Sequence, residues 1–347
     1  MKRSDWEILC KIANCEKNKL TDLPIGFIID SPWLPWWLGI NTLDYYTRDD
    51  VWFNANMKVI ETFPDIIFLP GFWAEYGMCT QTSAFGSKVV WQEGGIPNPE
   101  KVIYDISEID RIKKPNSATD GLLPFVLNRL EGSRRKMEEK GHDTKFAFSW
   151  GPFNIAAYLM GHTEFFLGLK INPEETKKLI EIVTEHIVDW IRLQKERIDS
   201  IEGIFVLDDI IGFINEEDFV NFALSPLKEV FAAIDSKVNF LHNDMESIIP
   251  AKYLKEIGVN LYNFSHIYEI DKMKEITGGS VGLVGNIPPR DVLADGTVEE
   301  VKNEVIKMLN STSDFDGILL SCGGVVPPGV SSENIKTFVK TVREYVK

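Results

Sequence analysis

Val238–Asp244 reads VNFLHND. Four mostly apolar residues run into a histidine, an asparagine and an aspartate. A short, near-continuous apolar run is what a parallel strand buried on both faces requires. His242 and Asp244 are two apart, so on an extended chain both side chains leave the same face. Further on, Gly317–Cys322 (GILLSC) repeats the design and ends in a cysteine followed by Gly323 and Gly324. Working outward, the same kind of run recurs at Lys145–Trp150, at Gly203–Leu207 before Asp208 and Asp209, at Val259–Phe264 before His266, and at Ser280–Val284 before Asn286.

Segments with helical spacing of apolar positions separate these runs. They span Ala118–Lys140, Pro173–Ile198, Glu216–Ala233, Ile248–Ile257, Asp271–Ile276, Val298–Leu309 and Ser332–Val346. Pro173 falls in a first turn, where its missing N–H costs little. Ser331 or Ser332 caps the last helix, with Glu333 where the helix dipole favours an acid. Strand and helix alternate six times or more, which predicts parallel strands with helices outside. No GxGxxG follows a strand, so a dinucleotide-binding fold is not supported. The expectation is one α/β domain over residues 1–347, a closed (β/α)8 TIM barrel. Asp208, Asp209, His242, Asp244, Asn263, His266, Asn286 and Cys322 then gather at strand C-termini, the face that carries catalysis in such barrels. Asn263, His266 and Asn286 are expected to meet a substrate there.

The first ~110 residues read as a mixed α/β elaboration with aromatic loops. Leu23–Asp30 (LPIGFIID) is a strand, Arg48–Phe63 a helix, Asp65–Leu69 a strand, and Lys88–Gln92 one arm of a hairpin. Ser31–Trp37 (SPWLPWW) holds Trp33, Trp36 and Trp37 with two prolines, which predicts a stiff aromatic loop rather than a helix. It is either folded under its own rings or forms a wall over a pocket, together with Trp73 and Tyr76. Glu75 lies between those last two residues. A carboxylate among aromatics has a raised pKa and suits acid–base work; a solvent-facing glutamate is the plainer reading.

The chain has 347 residues and a net charge of −15, from 52 acidic against 37 basic residues. That balance excludes a general attraction for nucleic acid or an anionic membrane. No run of about 20 apolar residues is present, so no transmembrane helix is expected. The start, MKRSDWEILCKIANCEKNK, reads as an amphipathic helix without a signal-peptide core, which gives a cytoplasmic expectation. Cys10, Cys15, Cys79 and Cys322 show no paired spacing and are expected as free thiols.

His242, Asp244 and Cys322 supply an imidazole, a carboxylate and a thiolate, three zinc ligands with a fourth position open for catalysis. One thiolate and one carboxylate neutralise Zn²⁺. The plainer readings remain that Asp244 caps the next helix and that Cys322 is a small buried residue.

The stretch Val281–Val301 (VGLVGNIPPRDVLADGTVEEV) and the stretch Gly317–Tyr345 resemble the C-terminal half of the uroporphyrinogen decarboxylase superfamily. The resemblance extends from about Gly203 to the end and is looser before that. It implies a (β/α)8 barrel and one of two activities: porphyrinogen decarboxylation, or methyl transfer to or from the cobalamin of a partner corrinoid protein. The decarboxylase branch carries an arginine-rich motif after the first strand. Here that place reads SPWLPWWLG, without the cations a polycarboxylate needs. The methyltransferase branch carries zinc on H-x-C and a distant cysteine. His242 and Cys322 match, while Asp244 stands where the nearer cysteine would be and makes the site harder and less thiolate-rich. The branch includes methylcobalamin:thiol methyltransferases and methoxyarene O-demethylases, and the aromatic front half is more like the latter. The resemblance thus implies a zinc-dependent corrinoid methyltransferase with a small-molecule methyl donor or acceptor; from their own chemistry, Asp208, Asp209 or Glu75 is the expected proton carrier. Two alternatives stay open: a metal-independent decarboxylase or lyase, and a non-enzymatic protein binding a tetrapyrrole or other small ligand.

Overall fold

A computed structural model describes residues 1–17, 22–92 and 95–346. Eight parallel strands line its centre. They are β1 (Gly26–Ile28), β2 (Ile67–Leu69), β3 (Phe146–Trp150), β4 (Gly203–Leu207), β5 (Val238–His242), β6 (Leu261–Asn263), β7 (Gly282–Ile287) and β8 (Ile318–Cys322). β3 to β8 form one parallel sheet in sequence order, and β1 pairs with β2. Bridges at Ile25–Leu320 and Ile28–Val325 join β1 to β8. The first two strands come from the stretch read as an elaboration, which therefore belongs to the barrel itself.

The ring is a (β/α)8-type barrel whose backbone ladder stops between β2 and β3. An unpaired strand edge buried in a protein needs other partners for its amides. Gln194, on the long helix Pro173–Arg197, supplies them: its Oε1 accepts from Phe148 N at 3.0 Å and its Nε2 donates to Phe148 O at 2.9 Å. Trp190 Nε1 donates to the same carbonyl at 3.1 Å. Trp73 fills the seam from the β2 side, its ring 4.6 Å from that of Phe148. Trp150 Nε1 crosses the seam to Gly77 O at 3.0 Å.

The barrel interior is aromatic. Phe205 and Phe240 on adjacent strands stack at 4.4 Å, and Phe146 packs edge-on to Phe205 and tilted against Phe240. Helix Arg3–Ala13 closes the N-terminal end by burying Trp6, Leu9 and Ile12. Two of the strands it presses on begin with glycine for that reason. A Cβ at Gly282 would lie 2.6 Å from Ile12 O, and one at Gly203 would lie 2.9 Å from the Trp6 ring.

The expected aromatic loop is instead a six-residue helix, Trp33–Leu38. Pro35 is its third residue, where a helix N–H has no internal partner, so the ring removes nothing. The helix expected over Glu216–Ala233 is continuous in space but passes through a π-turn at Phe219–Ala223. Val89–Val90 forms its hairpin arm against Asn98–Pro99.

At the opposite end, β4 runs straight into a cap. Asp208 is buried, and its two carboxylate oxygens accept the Phe153 and Asn154 amides at 3.0 and 3.1 Å. Those amides begin the helix Pro152–Met160. A Cβ on Gly151 would sit 2.2 Å from Asp208 Oδ2. Gly151→Ala should therefore push the carboxylate off both amides and lower stability by about 2–4 kcal/mol, read from the urea midpoint.

Candidate functional site

Among the expected site residues, Asp209, His242 and Asp244 come together at the C-terminal rim. One potential ligand atom from each lies within 4.8 Å of the others. His242 Nε2 is 3.4 Å from Asp209 Oδ1 and 4.0 Å from Asp244 Oδ2. The same-face spacing of His242 and Asp244 is realised. Asp209 arrives from the end of β4, the neighbouring strand.

Asn263 sets the imidazole. It is fully buried at the end of β6, and its Nδ2 donates to Val284 O at 2.7 Å and to Cys322 O at 3.2 Å. With the amide nitrogen committed to two carbonyls, Oδ1 must be the atom facing His242 Nδ1, 2.7 Å away. An acceptor there calls for a proton on Nδ1, which in the neutral ring leaves the Nε2 lone pair pointing at the two aspartates. This is how outer partners orient metal-binding histidines. Asn263, expected to meet substrate, is thus a positioning residue.

The acids at the rim are uncomfortable where they stand. Burial pushes the Asp209 carboxyl up to about 6, with His242 opposing and Asp244 adding to the rise. Its Oδ1 is buried without a hydrogen-bond partner. A divalent cation would relieve both conditions, so this donor set fits one. Cys322 lies outside the group. Its thiol donates to Gly324 O at 3.2 Å, and burial pushes it up to about 12. Of the three expected ligands, the structure thus brings His242 and Asp244 together, with Asp209 and not Cys322 beside them.

Asp208 is likewise not a free acid. Burial raises its carboxyl, and the two helix amides that occupy its oxygens oppose the rise. It caps a helix, while its neighbour Asp209 faces the rim. Glu75 is buried at the seam, and burial pushes its carboxyl up to about 8, a Thr80 hydrogen bond opposing. Its Oε2 has no partner. The solvent-facing reading of Glu75 therefore fails.

The aromatic wall is mostly structural. Trp33 is fully buried, with Nε1 donating to Val330 O at 3.0 Å. Trp37 stacks on Trp33 at 5.4 Å and donates to Ser332 Oγ at 2.8 Å. Trp73 plugs the seam. Tyr76 stacks on Tyr46, and the Arg129 guanidinium lies 5.3 Å from its ring centre. Only Trp36 of the five is exposed. His266 and Asn286 line a groove of about 590 Å³ between the rim and the helix Val298–Asn310, with Tyr268, Lys307 and Met308. Asn286 is held there by Nδ2 donating to Tyr268 O and by its amide N–H on Met308 Sδ at 3.2 Å.

Two rim residues escaped the sequence reading. Asp30 ends the first apolar run just as Asp208 ends the fourth; burial pushes it up to about 7, and it accepts from Ser31 Oγ at 3.1 Å. Tyr158 has no sequence signal. Burial raises its phenol, and Asp209 and Cys79 nearby raise it further.

A parallel barrel with an acid–imidazole cluster at its C-terminal rim defines an enzyme-type site. A profile of the uroporphyrinogen decarboxylase (URO-D) family matches residues 38–345, and the chain belongs to that family. It is 22% identical over 296 residues to a uroporphyrinogen decarboxylase of Ruthia magnifica, covering 82% of this chain and 80% of that one. It is also 22% identical over 282 residues to a methylated-thiol–coenzyme M methyltransferase of Methanosarcina mazei, covering 78% and 71%. In fold it is similar to a methyltransferase from Methanosarcina mazei, with a TM-score of 0.82 at 19% identity over 98% of both chains. Among the described residues no helix is long and apolar enough to cross a membrane.

Two tests follow from the geometry. Asn263→Leu removes the acceptor for His242 and orphans two carbonyls; it should cost about 1–3 kcal/mol in urea unfolding and about 10–100-fold in metal affinity. Glu75 has a folded-state value near 8, above its ordinary 4.5, so the folded chain holds an extra proton between those limits and loses stability as pH rises through them. Glu75→Gln should flatten that slope, leave stability unchanged below about pH 4, and raise it by about 1–3 kcal/mol at the alkaline end.

Proposed function

We propose that this protein transfers a methyl group between a small substrate and the cobalamin of a separate corrinoid protein, assisted by a divalent metal such as zinc at the rim cluster. The observation that carries the reading is the convergence of Asp209, His242 and Asp244 at one end of the barrel. The methyltransferase named among the relatives, and the absence of arginine from Ser31–Gly39, favour it over decarboxylation of a polycarboxylate.

A metal held there supplies Lewis acidity to the heteroatom that releases or accepts the methyl group. The chain's own residues do the rest. When the methyl–heteroatom bond breaks, the heteroatom leaves with its electron pair and needs a proton. Glu75, which keeps its proton at neutral pH, is the carrier to test. Asn263 keeps His242 from rotating. The methyl group must meet the corrinoid at the rim that carries the cluster, so the partner docks on that face. A methoxylated aromatic compound is the first donor to try, since an ether oxygen leaves poorly without such help.

The test is single-turnover methyl transfer to a reduced corrinoid protein, followed by the cobalamin absorbance, with methoxyarene and methyl thioether donors. We expect metal-dependent transfer that falls more than about 100-fold in His242→Ala. Metal-free protein that releases carbon dioxide from a carboxylated tetrapyrrole and transfers no methyl group would mean the decarboxylase reading is right.

A further inference from the structure

We infer that Asp30 sets the charge of the methyl donor. The end of the donor remote from its methyl group carries no negative charge, so an uncharged hydroxylated methoxyarene is accepted and its carboxylated counterpart is refused. This rests on the methyl-transfer reading above and adds a substrate class to it.

Topology places Asp30. In a ring of eight strands β1 stands opposite β5, whose end carries His242. A donor whose methyl group meets the rim cluster therefore reaches across the mouth toward the loop after β1. The interior of an eight-stranded barrel has room for one small ligand. Asp30 lies two residues past β1 and is half-buried. Ser31 Oγ donates to its Oδ1 at 3.1 Å and is itself hydrogen-bonded to the Tyr46 hydroxyl. The wall between the two ends is continuous. Asp209 and Cys79 are both close enough to Tyr158 to raise its phenol, and Cys79 and Asp30 both act on Tyr46.

Charge at this end is acidic and unbalanced. Glu75 flanks Asp30 on the β2 side, close enough for Asp30 to raise it, and its Oε2 is buried without a partner. Ser31 is the hydrogen-bonding neighbour of Asp30 and Thr80 that of Glu75; among the described residues no cation acts on either. Arg129, which packs against Tyr46 and Tyr76, is buried and committed elsewhere. Its Nε donates to Asp49 Oδ1 at 2.8 Å, its Nη2 donates to Tyr46 O, and its guanidinium lies over the Trp52 and Tyr76 rings at 5.5 and 5.3 Å. Its Nη1 is buried without a partner. A hydroxyl brought to Asp30 finds a group that donates when protonated and accepts when ionised. A carboxylate there leaves water, gains no cation and stands against two acids.

Full-length protein supplied with Zn²⁺ is titrated by calorimetry at about pH 8, above the Asp30 value of about 7. The ligands are vanillyl alcohol and vanillate, which carry a hydroxymethyl or a carboxylate group on the same methoxyphenol ring. We expect the alcohol to bind about 100-fold more tightly. Asp30→Asn keeps the shape and removes the charge; it should narrow that preference by about tenfold through tighter binding of vanillate. Asp30→Glu should keep the preference. Circular dichroism checks the fold, and the comparison in the wild type needs no variant. Vanillate bound as tightly as the alcohol would overturn the inference, as would binding of neither, or an unchanged preference in folded Asp30→Asn. Tight binding of vanillate that is lost in Arg129→Lys would name Arg129 as an anion anchor and overturn it too. Binding is read without turnover, so alcohol bound with the expected preference and never demethylated refutes the proposed activity and leaves the charge selection standing. Methyl transfer from both compounds without preference does the reverse.

Discussion

One buried amide holds the functional end of this barrel together. Asn263 ends β6, and its side chain reaches the imidazole of β5, a carbonyl of β7 and a carbonyl of β8. Four consecutive strands are thereby registered at their C-terminal ends by a single group. Each of its bonds is ordinary, worth about 1 kcal/mol net, but leaving any of them unmade in a buried place costs more than that. Position and tautomer of His242 follow from the same three bonds. The site is therefore not a set of side chains placed on a finished scaffold, since the bonds that close the rim are those that aim the imidazole.

The remainder of the barrel shows the same economy at its seam. The ladder between β2 and β3 is missing, and helix side chains replace it: Gln194 takes the place of a neighbouring strand at Phe148, and Trp73 fills the width. A gap of this kind lets Glu75 occupy a buried position beside β2 that a continuous sheet would have filled with backbone. Its high pKa is a product of that seam.

Much of this was legible beforehand, and the misses have definite causes. Strand and helix order could be read because buried parallel strands are short apolar runs and helices have their own period. His242 and Asp244 could be paired because extended chain fixes the side-chain direction every second residue. That rule stops at the strand end, which is why Asp208 and Asp209 could not be told apart: one turns back to cap a helix, the next turns to the rim. That Cys322 falls outside the cluster could not be read, because spacing along the chain says nothing about which way a thiol turns at a Gly-Gly bend. Trp33–Trp37 was misread because proline was judged by count rather than by position in the turn. The roles of Asn263 and Gln194 depend on contacts between distant segments, and no local pattern announces them.

The carboxyl groups at this end of the barrel share one electrostatic condition. Asp209 and Asp244 lie close to each other, and Asp30 and Glu75 add two more carboxyl groups raised by burial. A chain already at −15 gains nothing for folding from gathering carboxylates at one end. In a fold free of functional demands, replacement of these groups by apolar residues would be neutral or stabilising. Their persistence in one place makes sense if something positive completes the set. Binding that favours the native state alone adds to its stability by mass action, so on the proposed reading a cation bound by Asp209 and Asp244 would stabilise the fold as well as serve the chemistry.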